Sequence, residues 1–372
     1  MQPVARSCVS RSRPVLIVFI SLWLSGIPAN AVLFYSTGDP NYNTTAPGGS
    51  LTNSGWQYEG LWGSYLGTPI APKYFITAGH VGGSIGQALV FNGTQYPTTA
   101  VFDDPDSDLR IWRVCGTFPD YARIYTNTDE VNKSFVVFGR GTQRGAAVTT
   151  TNGAFGVKTN GWMWGPGDGV QRWGENVVAG TVNGDGLLGS GLGVLLQATF
   201  DKTGGPNECH LSVGDSAGAV FIQDGSTWKL AGINYAVDGP YNTSTNGPGF
   251  AGAIFDEGGL YKKDVTGNWS PTPDLPTAQP GSFYATRVSA HVAWIDSVIN
   301  GPTPSDSTPT LQSSADVAGQ YADELNAVVD DTSKTITIAL PGGSRFYRLR
   351  ACGALAIQSI QVQGGNLVLT YQ

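Results

Sequence analysis

Interruption constrains this chain more than any other feature. Across residues 32–286 the apolar or alternating runs are short, as at residues 134–138, 194–200, 219–222 and 229–234, and Gly, Pro, Asn or Asp closes each one. With 51 Gly and 22 Pro in 372 residues, long helices are excluded and short strands joined by turns are favoured. Charged residues make up only 13%, about half the ~25% of an average soluble domain, so salt-bridged helical surfaces are scarce. A core is still affordable in composition, because 41% of residues are apolar and 11% aromatic, which excludes wholesale disorder. A helical period occurs only at Val288, Val292, Ile295 and Ile299, with Ser289 as its cap, and predicts one short amphipathic helix after the strands. The expected class is all-β.

Both ends carry their own signals. Arg6, Arg11 and Arg13 precede an apolar run at residues 14–24, and Ala29-Asn30-Ala31 places small residues where a signal peptidase reads, so residues 1–31 read as a secretory signal peptide cut before Val32. The expected location is secreted, extracellular or periplasmic, with no membrane attachment after cleavage. Removal leaves 18 Lys+Arg against 28 Asp+Glu, a surface acidic enough to disfavour nucleic acid as a partner. Pro302, Pro304 and Pro309 among Ser and Thr mark residues 302–313 as a linker. Beyond it, alternation at residues 335–340, 345–350, 357–363 and 366–371, with Gly364-Gly365 between the last two runs, predicts a small β-rich module at 314–372. Position after a linker makes a surface or a polysaccharide its candidate partner.

Cleavage leaves Cys115, Cys209 and Cys352, enough for one disulfide in any of three pairings with one thiol left over. No Cys-x-x-Cys occurs and the three His are scattered, so no metal site is expected. Asp104, Asp106 and Asp108 have the early spacing of a calcium loop, but Leu109 stands where Gly is needed and Cys115 where the bidentate Glu belongs. Gly184-Asp185-Gly186-Leu187-Leu188-Gly189 matches a dinucleotide fingerprint by letters alone. The strand-like residues 194–200 follow it where a helix is required, so a Gly-rich hairpin is expected instead.

Three motifs remain, in a fixed order. Ile76-Thr77-Ala78-Gly79-His80 ends an apolar segment, Ser107-Asp108-Leu109-Arg110-Ile111 opens a strand-like run, and Gly214-Asp215-Ser216-Ala217-Gly218 precedes another. Together they resemble the trypsin/chymotrypsin-like serine proteases, in which base, acid and nucleophile follow in the order His, Asp, Ser. Residues 67–72 look like the strand entering that family's His loop, the predicted helix looks like its closing helix, and the 28-residue interval from His80 to Asp108 resembles bacterial members. The resemblance covers residues 32–301 and implies a double six-stranded β-barrel with a short C-terminal helix.

The implied chemistry suits these residue types. A hydroxyl becomes nucleophilic when an imidazole takes its proton, and a carboxylate fixes the tautomer of that imidazole. Ser216, His80 and Asp108 take those roles, with Asp104 as substitute acid, and the N–H groups of Gly214 and Ser216 form the oxyanion hole. The implied function is a secreted serine endopeptidase acting on proteins or peptides through an acyl-enzyme, without cofactor or metal. Pocket walls are expected near His210 and Val213, near Asn234 and Tyr235, and near Gly249. Since His210 stands six residues before Ser216 where a basic-specific enzyme carries Asp, basic specificity is not indicated. Asp215 is expected to pair with the Val32 amine, and Ala217, where Gly is usual, is expected to avoid strongly positive φ. Gly-x-Ser-x-Gly also fits the α/β-hydrolase elbow, but that needs a helix after Ser216 and a downstream His, and only His291 lies downstream. The reading from another class is a non-catalytic secreted binding protein on the same fold.

Overall fold

The computed structural model describes residues 32–152, 156–187, 189–264, 267–301, 308–353 and 355–372. The expected signal peptide and residues 302–307 of the expected linker therefore lie outside the described residues, while residues 310–313, also assigned to the linker, belong instead to the strand Thr310–Ser314. The structure is mostly β, and its described α-helices are the single turn Gly184–Leu187 and the helix Val292–Ile299.

Six strands close into a barrel, in the order Gly60–Trp62, Tyr65–Ala71, Tyr74–Ala78, Leu109–Val114, Thr94–Asp103, Ala88–Phe91. The register Leu61↔Val90 joins the last to the first. Strand Tyr74–Ala78 is buried throughout and apolar but for Thr77, because its alternate residues face two covered sides. Phe75 packs inside the barrel with Trp62, Leu89, Phe91 and Trp112, while Tyr74, Ile76 and Ala78 join a second cluster shared with Val136, Phe138, Phe221 and Ile233 of the next sheet. Both faces are covered, so neither alternates with solvent.

That next sheet runs Arg172–Val177, Ser134–Gly139, Ala219–Asp224, Thr227–Val237, Ser282–Arg287, Val194–Thr199, Gly180–Asn183. It too is apolar on both faces: Phe135, Val137, Val220 and Ile222 fill a cluster of their own. No ladder among the described residues closes it. Instead the side chain of Asn176 spans from the first strand to the sixth, donating to the carbonyls of Thr199 at 2.8 Å and Cys209 at 3.1 Å and to Glu208 Oε1 at 3.1 Å. The Gly-rich segment after residue 183 is the connection of an antiparallel hairpin, Gly180–Asn183 with Val194–Thr199.

The helix begins later than its periodicity suggests. Ser289 lies in the 3-10 turn Val288–Ala290 and gives its hydroxyl to Glu130, which also accepts Arg287. His291 occupies the N-cap of Val292–Ile299. Val288 and Ile295 are fully buried in the shared cluster, so the apolar stripe fastens this helix to the junction of the barrel and the second sheet. Residues 308–372 form a three-stranded and a four-stranded antiparallel sheet around Leu311, Ile336, Ile338, Leu367 and Leu369. Gly364 and Gly365 both take positive φ at the tight hairpin between the last two strands.

Cys115 and Cys209 are free thiols. Burial pushes the Cys209 thiol well up, and a methyl at Gly174 would run into its sulfur.

The Asn176 seam generates a prediction. Replacing Asn176 with Ala removes the donor shared by the carbonyls of Thr199 and Cys209, so it should destabilise the protein by about 2 kcal/mol, the scale for leaving buried acceptors unpaired. A urea midpoint within error of the parent would show that the seam needs no side-chain closure.

Candidate active site

Strand register assembles the site. Ala78 pairs with Leu109, which places the residues just beyond, His80 and Asp108, at the same end of neighbouring strands. The Gly79 N–H donates to the Asp108 carbonyl at 2.5 Å, and the His80 N–H donates to Asp108 Oδ1 at 2.9 Å. His80 Nδ1–H then donates to Asp108 Oδ2 at 2.6 Å, and Ser216 Oγ–H donates to His80 Nε2 at 2.8 Å. The imidazole is 39% exposed and the acid 12%, so the base meets solvent while its carboxylate is shielded. Tyr235 sets its edge against the ring, with centroids 5.5 Å apart.

Ser216 comes from the other side of the junction, in a loop ending at strand Ala219–Asp224. The loop is pinned by the backbone of Asn234: Ala217 N–H donates to its carbonyl at 3.0 Å and its N–H donates to Gly218 O at 2.8 Å. Ala217 does not avoid positive φ. It sits at +65°, left-handed and fully buried, because the pairing with Asn234 forces the chain to reverse at once after Ser216; the conformation costs an L residue about 1–2 kcal/mol. Gly214 adopts φ +96°, which is open to Gly. Among the described residues the N–H groups of Gly214 and Ser216 donate to no protein acceptor, leaving two donors at one turn.

Beneath this turn lies the Asp215 carboxylate. Its Oδ1 accepts Gly141 N–H at 2.7 Å, its Oδ2 accepts the N–H and hydroxyl of Ser212 at 2.7 and 2.9 Å, and Val32 N–H reaches both oxygens at 3.1 and 3.2 Å. The fit is tight enough that a methyl at Gly139 or Gly141 would collide with the carboxylate. Burial pushes Asp215 up to about 6 against the pull of these donors.

A cavity of about 230 Å³ opens beside Ser216, walled by Trp164, Leu211, Val213, Tyr235, Ala236 and Val237, with Asn234 also lining it. Three of the expected wall residues, Val213, Asn234 and Tyr235, are there. His210 is not: strand Cys209–His210 pairs with Leu33–Phe34, the ring packs between Phe200 and Phe283, and its nitrogens face the carbonyls of Leu211 and Ser282. Burial lowers its pKa. Gly249 lies elsewhere, against Trp269 and Tyr241. The wall that sequence reasoning missed is Trp164. It is delivered by a long hairpin, Thr142–Asn152 with Gly156–Gly167, and the alternation Trp162-Met163-Trp164 was its signal. Gly139-Arg140-Gly141 was the overlooked sign of the Asp215 cradle.

No known family signature matches the chain and no curated protein matches it. Among solved structures it is similar to neuropsin, a serine protease of mouse brain, at 13% identity over 67% of this chain and 96% of that one with a TM-score of 0.39. It is similar to kallikrein-related peptidase 10 at 12% identity over 68% and 99%, also 0.39. The passenger domain of the plasmid encoded toxin, an autotransporter enterotoxin of enteroaggregative Escherichia coli, matches at 13% identity over 62% of this chain and 21% of its own, with a TM-score of 0.35. Similarity of that degree leaves the chemistry to be read from the side chains.

Asp215 yields a signed pH prediction. An unfolded Asp ionises near 3.9, and the folded value is about 6 with Val32 still in peptide linkage. The raised value means a stability contribution complete below about pH 4 and lost as pH rises through 6, on the order of 2–3 kcal/mol. A free ammonium at Val32 would hold the carboxylate ionised and cancel that loss. Urea midpoints at about pH 4 and pH 7 should therefore fall further for a chain retaining residues before Val32 than for one beginning there. Equal slopes would remove the ion pair.

Proposed function

We propose that this protein is a secreted serine endopeptidase. One observation carries the reading: an unbroken hydrogen-bonded line from Asp108 through His80 to Ser216, with steps of 2.6 and 2.8 Å, ends at an open cavity beside two unengaged N–H groups. Ser216 Oγ attacks the peptide carbonyl as His80 Nε2 takes its proton, and Asp108 keeps the other proton on Nδ1 and offsets the charge that forms. The tetrahedral oxyanion is received by the N–H groups of Gly214 and Ser216. His80 returns its proton to the leaving amine, and water then hydrolyses the acyl-enzyme by the same steps in reverse order of roles. This chemistry calls on neither metal nor cofactor.

Several features support the wider reading. The second sheet acts as a second six-stranded barrel, its first and sixth strands bridged by Asn176 instead of a ladder. Val32 N–H already lies on Asp215, where removal of residues 1–31 would leave an ammonium that orders the Gly214 to Ser216 turn. The strand Thr310–Ser314 puts Leu311 in the C-terminal core, so the module begins near residue 308 and not at 314; it acts as a separate unit after a Pro-rich linker, with a surface or a polysaccharide as its partner. The cavity walls carry no charge apart from Asp215, whose oxygens are engaged, so the side chain preceding the cleaved bond is apolar and of Leu to Phe size.

Three outcomes follow. Ser216→Ala and His80→Ala should each lower kcat by a factor on the order of 10⁴ or more, with the double variant little worse, because nucleophile and base act as one unit. Asp108→Asn should be severe too, because an amide in place of the carboxylate favours the wrong imidazole tautomer. Hydrolysis of an unstructured protein by these variants measures this, and parent-like rates from Ser216→Ala would sink the mechanism. Peptides with Leu, Met or Phe before the scissile bond should exceed Arg or Glu analogues in kcat/KM by roughly 10- to 100-fold, the scale of desolvating a side chain in an apolar pocket; a preference for Arg would overturn the pocket assignment. A chain ending at Gly301 should keep peptidase activity, and inactivity of that chain beside an active full-length protein would refute the independence of the tail.

A further inference from the structure

We infer that His291 and Asp104 form a positioning pair that holds the loop of the triad acid, an assignment that rests on the peptidase reading and adds a residue to it. Asp104 N–H donates to the Leu109 carbonyl at 3.0 Å, closing a turn that contains Asp108. Inside the turn the Asp104 carboxylate gathers three donors: Asp106 N–H at 3.1 Å on Oδ1, and the Ser107 hydroxyl at 2.7 Å and His291 Nδ1–H at 2.7 Å on Oδ2. Ser107 Oγ in turn accepts Leu109 N–H at 3.1 Å. The residues on both sides of Asp108 are thus tied to Asp104, and Asp104 is tied to His291.

His291 is a distant anchor. It sits between the turn Val288–Ala290 and the helix Val292–Ile299, whose Val288 and Ile295 are fixed in the cluster shared by the two β units. The pair is shut in, with side chains 8% and 2% exposed. Gly193 closes it from the neighbouring hairpin, so near that a methyl there would stand 2.6 Å from the Asp106 carbonyl and 3.3 Å from His291 Nε2. That Nε2 is buried and has no partner among the described residues. If His291 merely filled space, Phe or Leu would do so without leaving a polar atom unmet. The imidazole is explained by its other nitrogen, which holds the Asp108 turn to the helix. An acid displaced by even 1 Å no longer aligns the base, an error worth up to about 100-fold in rate.

The pair works through Asp108 and touches no substrate, so its signature is kinetic. In full-length protein freed of residues 1–31, His291→Phe should lower kcat by roughly 10- to 100-fold and leave KM unchanged. His80 faces Asp108, Ser216 and Tyr235, and with the Asp108 charge out of line the acid limb of the pH profile should move to lower pH. His291→Asn, whose amide N–H lies about where Nδ1 stood, should restore most of kcat. Asp104→Asn leaves one oxygen for three donors and should repeat the His291→Phe pattern more weakly, which decides the matter if His291→Phe does not fold. Lower thermal stability with parent kcat and an unmoved pH profile in both His291→Phe and Asp104→Asn would overturn the positioning role. Parent protein lacking Ser216-dependent hydrolysis would instead overturn the peptidase reading, and the pair's role with it.

Discussion

One buried carboxylate organises the rest. Asp215 ties together residues 32, 141 and 212, three segments remote in sequence, and it does so directly under the turn that presents Ser216. A carboxylate out of water is costly unless its lone pairs are met. Here four N–H and O–H donors meet them, and burial still pushes the group up to about 6. The remaining deficit is one positive charge, and the atom best placed to supply it is the nitrogen of Val32. In a chain beginning at Val32, that nitrogen would carry the charge, and cleavage there would couple to the order of the Gly214 to Ser216 turn.

The second constraint is the junction between the closed barrel and the sheet that follows it. His80 and Asp108 come from one side and Ser216 from the other, so the line of these three side chains is only as well aligned as the packing of Ile76, Ile111, Phe138, Phe221 and Ile233 between them. Such a close-packed interior transmits displacement instead of absorbing it. The helix Val292–Ile299 packs on the same cluster, and His291 at its N-cap holds Asp104, which in turn is tied to the residues on both sides of Asp108.

The all-β class and the positions of His80, Asp108 and Ser216 were legible in the sequence because each lies at a strand end, where an apolar run meets a turn motif. Pocket walls were less legible. Val213 lies three residues before Ser216, and Asn234 and Tyr235 are held beside it by the backbone bonds of Asn234 to residues 217 and 218, whereas Trp164 arrives on a hairpin whose long-range placement no local pattern encodes. His210 failed for the opposite reason: counting residues back from Ser216 cannot show that Cys209 and His210 pair with Leu33 and Phe34 and are drawn into the core. Ala217 shows tertiary bonding overriding local preference, since two backbone hydrogen bonds with Asn234 hold that part of the loop. The reach of the Asn176 side chain from the first to the sixth strand of the second sheet is likewise invisible to alternation, which reports faces and not seams.

The central claim is that Ser216 is a nucleophile activated by His80. Its most direct test is covalent labelling by a serine-directed phosphonate, read by intact mass and peptide mapping on protein beginning at Val32. A single adduct on the Ser216 peptide, lost in His80→Ala, is the predicted result; no adduct, or an adduct elsewhere with Ser216 unmodified, would contradict it.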